Sequence, residues 1–258
     1  MKATHRLLPL IAVSAVGLQL CADKAAGADP APAATTVSAA PGKAIEVFNG
    51  KDLTGWKFKG DAAHSKWTVG TAALDPADPA KLVVTPGGNE LINAAVGPHG
   101  SSVDIYTDAT FGDARVELEV MVPKNSNSGV VMMGIYEIQV LDSFGRETPG
   151  NGDMGAVYGK IPPKVNAAKK PGEWQTLSVE YRAARFDDAG NKTANARIVK
   201  ATLNGQVIHE NAEVDGITAP FLANHEVPTG SFLLQGDHGA VAYRNIKITP
   251  LGDAPRPQ

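Results

Sequence analysis

The stretch Asn127-Ser-Gly-Val-Val-Met-Met-Gly-Ile-Tyr-Glu-Ile-Gln-Val-Leu-Asp142 indicates both the fold and a site. Its second half alternates between the two faces of an extended strand, with Tyr136, Ile138 and Val140 on one face and Glu137 and Gln139 on the other. Such a strand can bury its apolar face and present a carboxylate and a carboxamide to a polar groove. Glu137 and Gln139 are therefore candidate site residues. The alternative is an ordinary amphipathic strand with both side chains in solvent.

The rest of the chain after residue 43 also has the pattern of short strands, each bounded by Gly, Pro, Asn or Asp, and shows no convincing amphipathic helix. We predict strands at Ile45–Phe48, Lys66–Val69, Leu82–Thr85, Val103–Tyr106, Ala114–Val122, Gly129–Leu141, Trp174–Tyr181, Ile198–Leu203, Gln206–His209, Ser231–Gln235 and Val241–Ile248. Many strands without helices to cover a parallel sheet predict an all-β fold, a two-sheet antiparallel jelly-roll sandwich.

Three segments carry more specific predictions. Ala114–Val122 alternates apolar and polar residues, which is typical of a half-buried antiparallel strand. Leu203-Asn204-Gly205-Gln206 predicts a two-residue hairpin, because Asn-Gly accepts positive φ angles. In the last strand, Val241 and Tyr243 have one parity and Ile246 and Ile248 the other, so a bulge near Arg244-Asn245 would keep all four inside.

The N-terminus has the pattern of an export signal. Lys2 and Arg6 precede an apolar run from Leu7 to Leu20, which is too short to span a bilayer comfortably. The Ala26-Gly27-Ala28 sequence favours cleavage after Ala28, giving a signal peptide at 1–28 and a periplasmic or secreted protein. Lipidation at Cys21 is the less favoured alternative, because Leu18-Gln19-Leu20 lacks a small residue beside the cysteine.

Composition narrows the class of protein. Residues 29–43 are rich in Ala, Pro and Thr and predict a flexible linker, residues 44–252 suffice for a single domain, and 253–258 form a tail. A net charge of −3 without a basic run argues against a nucleic-acid partner, and no later apolar run predicts a transmembrane span. The chain has 1 cysteine, so no internal disulfide stabilises the domain. The sequence carries no signal for an oligomeric state.

Common catalytic motifs are absent: the chain has no phosphate-binding loop, dinucleotide fingerprint, His-Glu-x-x-His or Gly-x-Ser-x-Gly. No pair of histidines has the spacing of zinc ligands, so the sequence identifies no metal site. Nothing in the sequence requires a cofactor. Asp142 and Asp153 could ligate a divalent cation such as calcium, although acids that cap turns are the commoner explanation. His238 is a candidate for proton transfer, with a turn histidine bound to a carbonyl as the alternative.

Several segments in order resemble the 3-keto-disaccharide hydrolase domain family. They are Phe48-Asn-Gly-Lys-Asp-Leu-Thr-Gly-Trp56, Asn127-Ser-Gly129, Tyr136-Glu-Ile-Gln-Val-Leu-Asp142, Gly155-Ala-Val-Tyr-Gly159, Gly172-Glu-Trp174, Leu203-Asn-Gly205, Leu234-Gln-Gly-Asp-His-Gly239 and Tyr243-Arg-Asn-Ile246. The resemblance covers about Ile45 to Leu251. It implies a concanavalin A-like jelly roll, export in bacteria, and hydrolysis of glycosides whose sugar C3 hydroxyl has been oxidised to a ketone. One departure is that the family usually has an Arg shortly before the Tyr-Glu pair, where this chain has Met132-Met133-Gly134.

Cleavage of a 3-keto-glycoside requires a base for the C2 proton, a cation or donor for the enolate oxygen, and an acid for the departing oxygen. Glu137 or His238 could be the base, Arg244 or a divalent cation could hold the enolate, and Tyr158 or His238 could be the acid. The predicted substrate-binding residues are Asn127, Gln139, Asp142, Gln235 and Trp174. Structural alternatives exist for these roles: Arg244 could form a surface ion pair, and Tyr158 and Trp174 could be core aromatic residues.

Two other classes fit the same strand pattern. A non-catalytic carbohydrate-binding module of the cell envelope would share the jelly roll and use exposed aromatic rings as platforms for sugars. A structural envelope protein would need only a core and a partner surface, which leaves Glu137, Gln139 and His238 without a purpose.

Overall fold

The computed structural model describes residues 42–97 and 99–252. Within these ranges the chain forms strands, a three-residue 3₁₀ turn at Ala62–His64 and connecting loops. The strands are β1 (Ile45–Glu46), β2 (Trp56–Lys59), β3 (Trp67–Leu74), β4 (Leu82–Asn93), β5 (Asp104–Phe111), β6 (Ala114–Met121), β7 (Asn127–Met132), β8 (Tyr136–Leu141), β9 (Trp174–Arg182), β10 (Arg185–Phe186), β11 (Lys192–Ala194), β12 (Ala196–Leu203), β13 (Gln206–Val214), β14 (Gly230–Leu234) and β15 (Val241–Pro250).

Two antiparallel sheets confirm the predicted all-β sandwich. The larger sheet has eight strands, in the order β13-β12-β9-β6-β15-β4-β3 with β1 paired to β15. The smaller sheet has five strands, in the order β2-β5-β14-β7-β8, and β10 and β11 form a separate ribbon. Neighbours in both sheets are often distant in sequence, as β14 beside β7 shows, so the fold brings separate segments side by side.

The hydrophobic core contains the inward faces of both sheets. Strand β6 alternates as predicted: Val116 and Leu118 are buried in the core, while Arg115 and Glu117 are exposed. Val130 on β7 and Ile138 on β8 enter the same core from the smaller sheet. Because each buried Val, Leu or Ile side chain contributes about 1.5–3 kcal/mol, this shared core can stabilise a domain without disulfides.

The predicted bulge and hairpin are both present. The register of β15 against β6 shifts between Arg244 and Lys247, and Asn245 has a φ of 54°. As a result Val241, Tyr243, Ile246 and Ile248 are all buried. Leu203 pairs with Gln206 across Asn204 and Gly205, whose φ angles are 52° and 81°.

The predicted single strand Gly129–Leu141 was wrong. The structure divides it into β7 and β8, an antiparallel hairpin in which Met132 pairs with Tyr136. Met133 and Gly134 turn the chain with φ angles of 57° and 68°. The turn was missed because methionine rarely adopts positive φ and gave no turn signal. Strand β2 was also absent from the prediction.

The predicted signal peptide 1–28, Cys21, most of the linker 29–43 and the tail 253–258 lie outside the described residues. Gly42 donates a hydrogen bond to the carbonyl of Pro250, so residue 42 is paired with the end of the domain. Between residues 42 and 252, leaving out 98, no helix has the length and apolar character needed to cross a membrane.

Candidate functional site

A polar pocket of about 260 Å³ lies against the outer face of the smaller sheet. Its lining brings together side chains from β2, β5, β7, β8 and three loops, because the sheet places these strands side by side. The lining residues are Lys59, Asp104, Asn127, Glu137, Gln139, Tyr158, Ala219, Pro220, Phe221, Gln235, Asp237 and His238. Six of the nine residues that the sequence singled out as catalytic or substrate-binding are therefore here: Asn127, Glu137, Gln139, Tyr158, Gln235 and His238.

Strand β8 supplies the carboxyl group of this pocket. Its apolar residues enter the core, so Glu137 and Gln139 point to the opposite face, where each is only 3% exposed. Gly129 on β7 makes room for the carboxyl group, since a Cβ there would lie 2.4 Å from Glu137 Oε1. The Asn127-Ser-Gly129 segment thus has a physical explanation: a larger residue at 129 would displace Glu137.

The outer edge of β8 is covered by the segment around residues 155–158. Gln139 N–H donates to the Ala156 carbonyl at 2.9 Å, and Gly155 N–H donates to the Gln139 carbonyl at 2.8 Å. Tyr158 N–H donates to the Glu137 carbonyl at 3.1 Å. These bonds place Tyr158 beside the pocket with 40% of its surface exposed, so it is not a core aromatic residue.

The loop between β13 and β14 forms another wall and is fastened to the β7–β8 hairpin. Thr218 Oγ1 accepts from Glu137 N–H at 2.9 Å and donates to the Ile135 carbonyl at 3.1 Å. Phe221 lines the pocket from this loop, and its ring centroid lies 5.3 Å from Lys59 Nζ. The sequence gave no signal for these two residues, since Lys59 lies on the strand that was missed and Phe221 lies in an irregular loop.

His238 lies on the loop between β14 and β15, paired with its neighbour. Its Nδ1 makes a short hydrogen bond with Asp237 Oδ1, which raises the pKa of the imidazole. Burial by itself raises the pKa of the Asp237 carboxyl, but the hydrogen bond with His238 and the charges of His238 and His99 outweigh it, so that pKa lies below its usual range. Asp237 is next to the predicted His238 in sequence and could have been identified from that motif.

Burial dominates the electrostatics of the pocket carboxyl groups. It raises the pKa of Glu137 to about 8; the nearby His238 opposes the shift, and Asp104 and Asp237 add to it. Burial also raises the pKa of Asp104, against a hydrogen bond from Gly236 N–H and the Lys59 ammonium, whose Nζ lies 3.2 Å from Asp104 Oδ2. Glu137 is therefore poised to exchange a proton near neutral pH.

Two side-chain amides of the pocket lining have oxygens without hydrogen-bond partners among the described residues. They are Asn127 Oδ1 and Gln235 Oε1, both buried. A buried amide oxygen without a partner is unfavourable by about 1–3 kcal/mol, so groups of this kind indicate a ligand that donates to them. Hydroxyl groups of a sugar have the required chemistry.

Three predicted site residues do not reach the pocket. Arg244 lies on the larger sheet, where its Nη2 pairs with Glu119 Oε2 at 2.7 Å and its guanidinium stacks 4.1 Å from the ring centroid of Trp174. Asp142 Oδ2 accepts from Asn125 N–H at 2.9 Å. Arg244 follows the buried Tyr243 on β15, so strand alternation directs its side chain to the outer face of its own sheet.

The second acid of the suggested calcium pair is also engaged locally. Asp153 Oδ2 accepts from Gly150 N–H at 2.7 Å, and its Oδ1 lies 3.0 Å from Arg146 Nη1. In the described part of the chain, the only group of at least three His, Cys, Asp or Glu residues with metal-site spacing is His99, Asp237 and His238.

Comparisons with known proteins agree with this fold. The model of a family described as the 3-keto-alpha-glucoside-1,2-lyase-like domain matches residues 43–249. A solved structure of a proposed glycosyl hydrolase from Parabacteroides distasonis is similar at 30% identity, with a TM-score of 0.62 over 81% of this chain and 84% of that chain. A second structure of that description from the same organism has 20% identity and a TM-score of 0.55 over 81% of this chain and 94% of that chain, and shows the shared fold. No curated protein matches this chain.

Proposed function

Since the chain belongs to the 3-keto-alpha-glucoside-1,2-lyase-like family, we propose that it is an enzyme that cleaves glycosides carrying a ketone at C3 of the sugar. The observation that carries the proposal is the pocket in which a buried carboxyl group, Glu137, and a paired imidazole, His238, face the same small space. The two unpartnered amide oxygens of Asn127 and Gln235 support a polyhydroxylated ligand. The proposed compartment is the periplasm or the cell exterior, after removal of residues 1–28.

The ketone makes the chemistry accessible to an ordinary carboxylate. It acidifies the proton on C2, so that a base can remove it and leave an enolate. The electron pair then forms a C1–C2 double bond while the C1–O bond breaks and the departing oxygen takes a proton. Addition of water, with OH to C1 and H to C2, completes a net hydrolysis without the two opposed carboxylates of an oxocarbenium mechanism.

Glu137 is the proposed base for the C2 proton. A pKa of about 8 makes its carboxylate a stronger base than an ordinary glutamate, yet one that still ionises near neutral pH. Tyr158, which is exposed beside the pocket, is the proposed proton donor to the departing oxygen. The sequence had left both of these roles open between two residues, and burial and position favour these assignments.

The enolate oxygen requires a positive partner that Arg244 cannot provide from the other sheet. We assign this role to the end of the pocket formed by Asp237 and His238, with Lys59 contributing positive charge from β2. Asn127, Gln139 and Gln235 would orient sugar hydroxyl groups, and the ring of Phe221 offers a surface for an apolar sugar face.

The test is an assay of the purified chain 29–258 with a 3-oxidised methyl glucoside and with the unoxidised parent. We expect turnover of the keto sugar only, and a loss of about 10²–10⁴-fold in Glu137→Gln, the size that removal of a general base produces. Glu117→Gln, an exposed carboxylate on β6, is the matched control. Binding of sugars without any product would instead identify a carbohydrate-binding module.

A further inference from the structure

His99, on the loop that precedes β5, meets Asp237 and His238 at the edge of the pocket. One ligand atom from each residue lies within 4.8 Å of the others, and the two imidazole rings stand edge to face with their centroids 3.8 Å apart. We propose that His99, Asp237 and His238 bind a divalent transition-metal ion.

The distance between His99 and Asp237 fits two ligands of a shared ion better than a hydrogen bond. His99 Nε2 lies 3.5 Å from Asp237 Oδ2, which is longer than an ordinary N–H···O bond. Two ligands of one tetrahedral zinc ion, each at about 2.0–2.1 Å, are about 3.3–3.4 Å apart. The hydrogen bond between His238 Nδ1 and Asp237 Oδ1 orients that imidazole, so the ligand atoms would be Nε2 of His238 and the other oxygen of Asp237, Oδ2, which faces His99.

The backbone holds the two loops in place before any ion arrives. Gly100 N–H donates to the Asp237 carbonyl at 2.6 Å, which ties the His99 loop to the His238 loop. Asn93 Nδ2 donates to the carbonyls of Gly236 and Gly239 at 2.7 and 2.8 Å. Gly236 is required at its position, because a Cβ there would lie 2.2 Å from the Val103 carbonyl oxygen.

The donor set selects the class of ion. Two imidazole nitrogens and one carboxylate oxygen suit zinc, cobalt or nickel, whereas calcium and magnesium prefer oxygen ligands throughout. His99 is 64% exposed, so an ion can enter from solvent and keep an open coordination position.

This site deepens the proposed function, because an ion with an open position would be the electrophile that holds the enolate oxygen. Metal binding is measurable without turnover. Protein without a histidine tag is stripped with a chelator and titrated with Co²⁺, following the visible absorption bands that ligation produces.

We expect one equivalent of Co²⁺ to bind, competition by Zn²⁺ but not by Ca²⁺, and at least about 10-fold weaker binding in His99→Ala and in His238→Ala. His64→Ala is the matched control, since His64 is an exposed histidine whose Nδ1 lies 4.0 Å from Asp61 Oδ2. Circular dichroism checks that each variant is folded. No stoichiometric binding, or equal affinity in His99→Ala, would overturn the metal site. Stoichiometric binding without cleavage of the keto sugar would refute the proposed function alone.

Discussion

Glu137 is a carboxyl group that the fold keeps away from water beside other acidic groups. Its pKa is about 8 in the folded protein and about 4.5 in the unfolded chain, so the folded state binds more protons between these values. Stability from this group is therefore fully present below about pH 4.5 and is lost as pH rises towards 8. A titrating carboxyl group buried in this way makes the protein less stable than it could be.

Glu137→Gln should consequently raise the free energy of unfolding relative to wild type, with a difference that grows from pH 4.5 to pH 8 and then levels off. Glutamine keeps the shape of the side chain and removes the buried charge. Denaturant unfolding at several pH values, with a chelator present, measures the difference. Glu117→Gln should show no such trend, because its side chain is exposed. A difference that stays constant with pH contradicts the burial of a titrating group at 137.

Gly129→Ala tests whether turnover depends on the position of the Glu137 carboxyl group as well as on its presence. The added Cβ of Gly129→Ala would lie 2.4 Å from Glu137 Oε1, so the carboxyl group must move. We expect kcat/KM for the keto sugar to fall by at least about 10-fold, since small displacements of a catalytic group are costly. Gly152→Ala is the control, because its Cβ would meet nothing within 4 Å. Unchanged kcat/KM in Gly129→Ala would show that the pocket tolerates a displaced carboxyl group.

At the scale of elements, the sequence predicted the features that depend on the alternation of apolar and polar residues and on the residues preferred in turns. The parity of β6, the Asn204-Gly205 hairpin and the β15 bulge follow from which side chains must be buried, and the structure has all three. The β7–β8 turn did not follow, because Met133 has a positive φ, which methionine rarely adopts. Phe221 shows the same limit for the site, because an irregular loop brings it to the pocket. The outward position of Arg244, by contrast, follows from its place next to the buried Tyr243.

The loop that carries Phe221 depends on Thr218. Thr218→Val has the same shape but loses both the bond from Glu137 N–H and the bond to the Ile135 carbonyl. We expect a loss of about 1–3 kcal/mol in unfolding free energy and a higher KM for the keto sugar, with most of both restored by Thr218→Ser. Thr176→Val, at an exposed position on β9, is the control. A KM that is unchanged in Thr218→Val would mean that this loop does not shape the substrate site.

The whole molecule packs the inner faces of both sheets against each other and presents the candidate site on the outer face of the smaller sheet. Asn127 on β7 and Asp104 on β5 line the same pocket, although other segments separate them in sequence. The reason is that β14 pairs with both of their strands in the smaller sheet. The core between the sheets requires no cysteine, and the net charge of −3 gives no reason to expect a polyanionic partner. The sandwich thus supports a small polar pocket on the outer face of its smaller sheet.

The central claim is that cleavage begins by removal of the proton on C2. Turnover of a 3-keto-glucoside deuterated at C2 is compared at early time points with that of the undeuterated sugar. A control without enzyme measures how fast the deuterium exchanges with water chemically. We expect slower turnover of the deuterated sugar and loss of its label to water, with cleavage and label loss both lowered by about 10²–10⁴-fold in Glu137→Gln. Equal rates with the deuterium retained in the product would contradict the mechanism and favour direct displacement at C1.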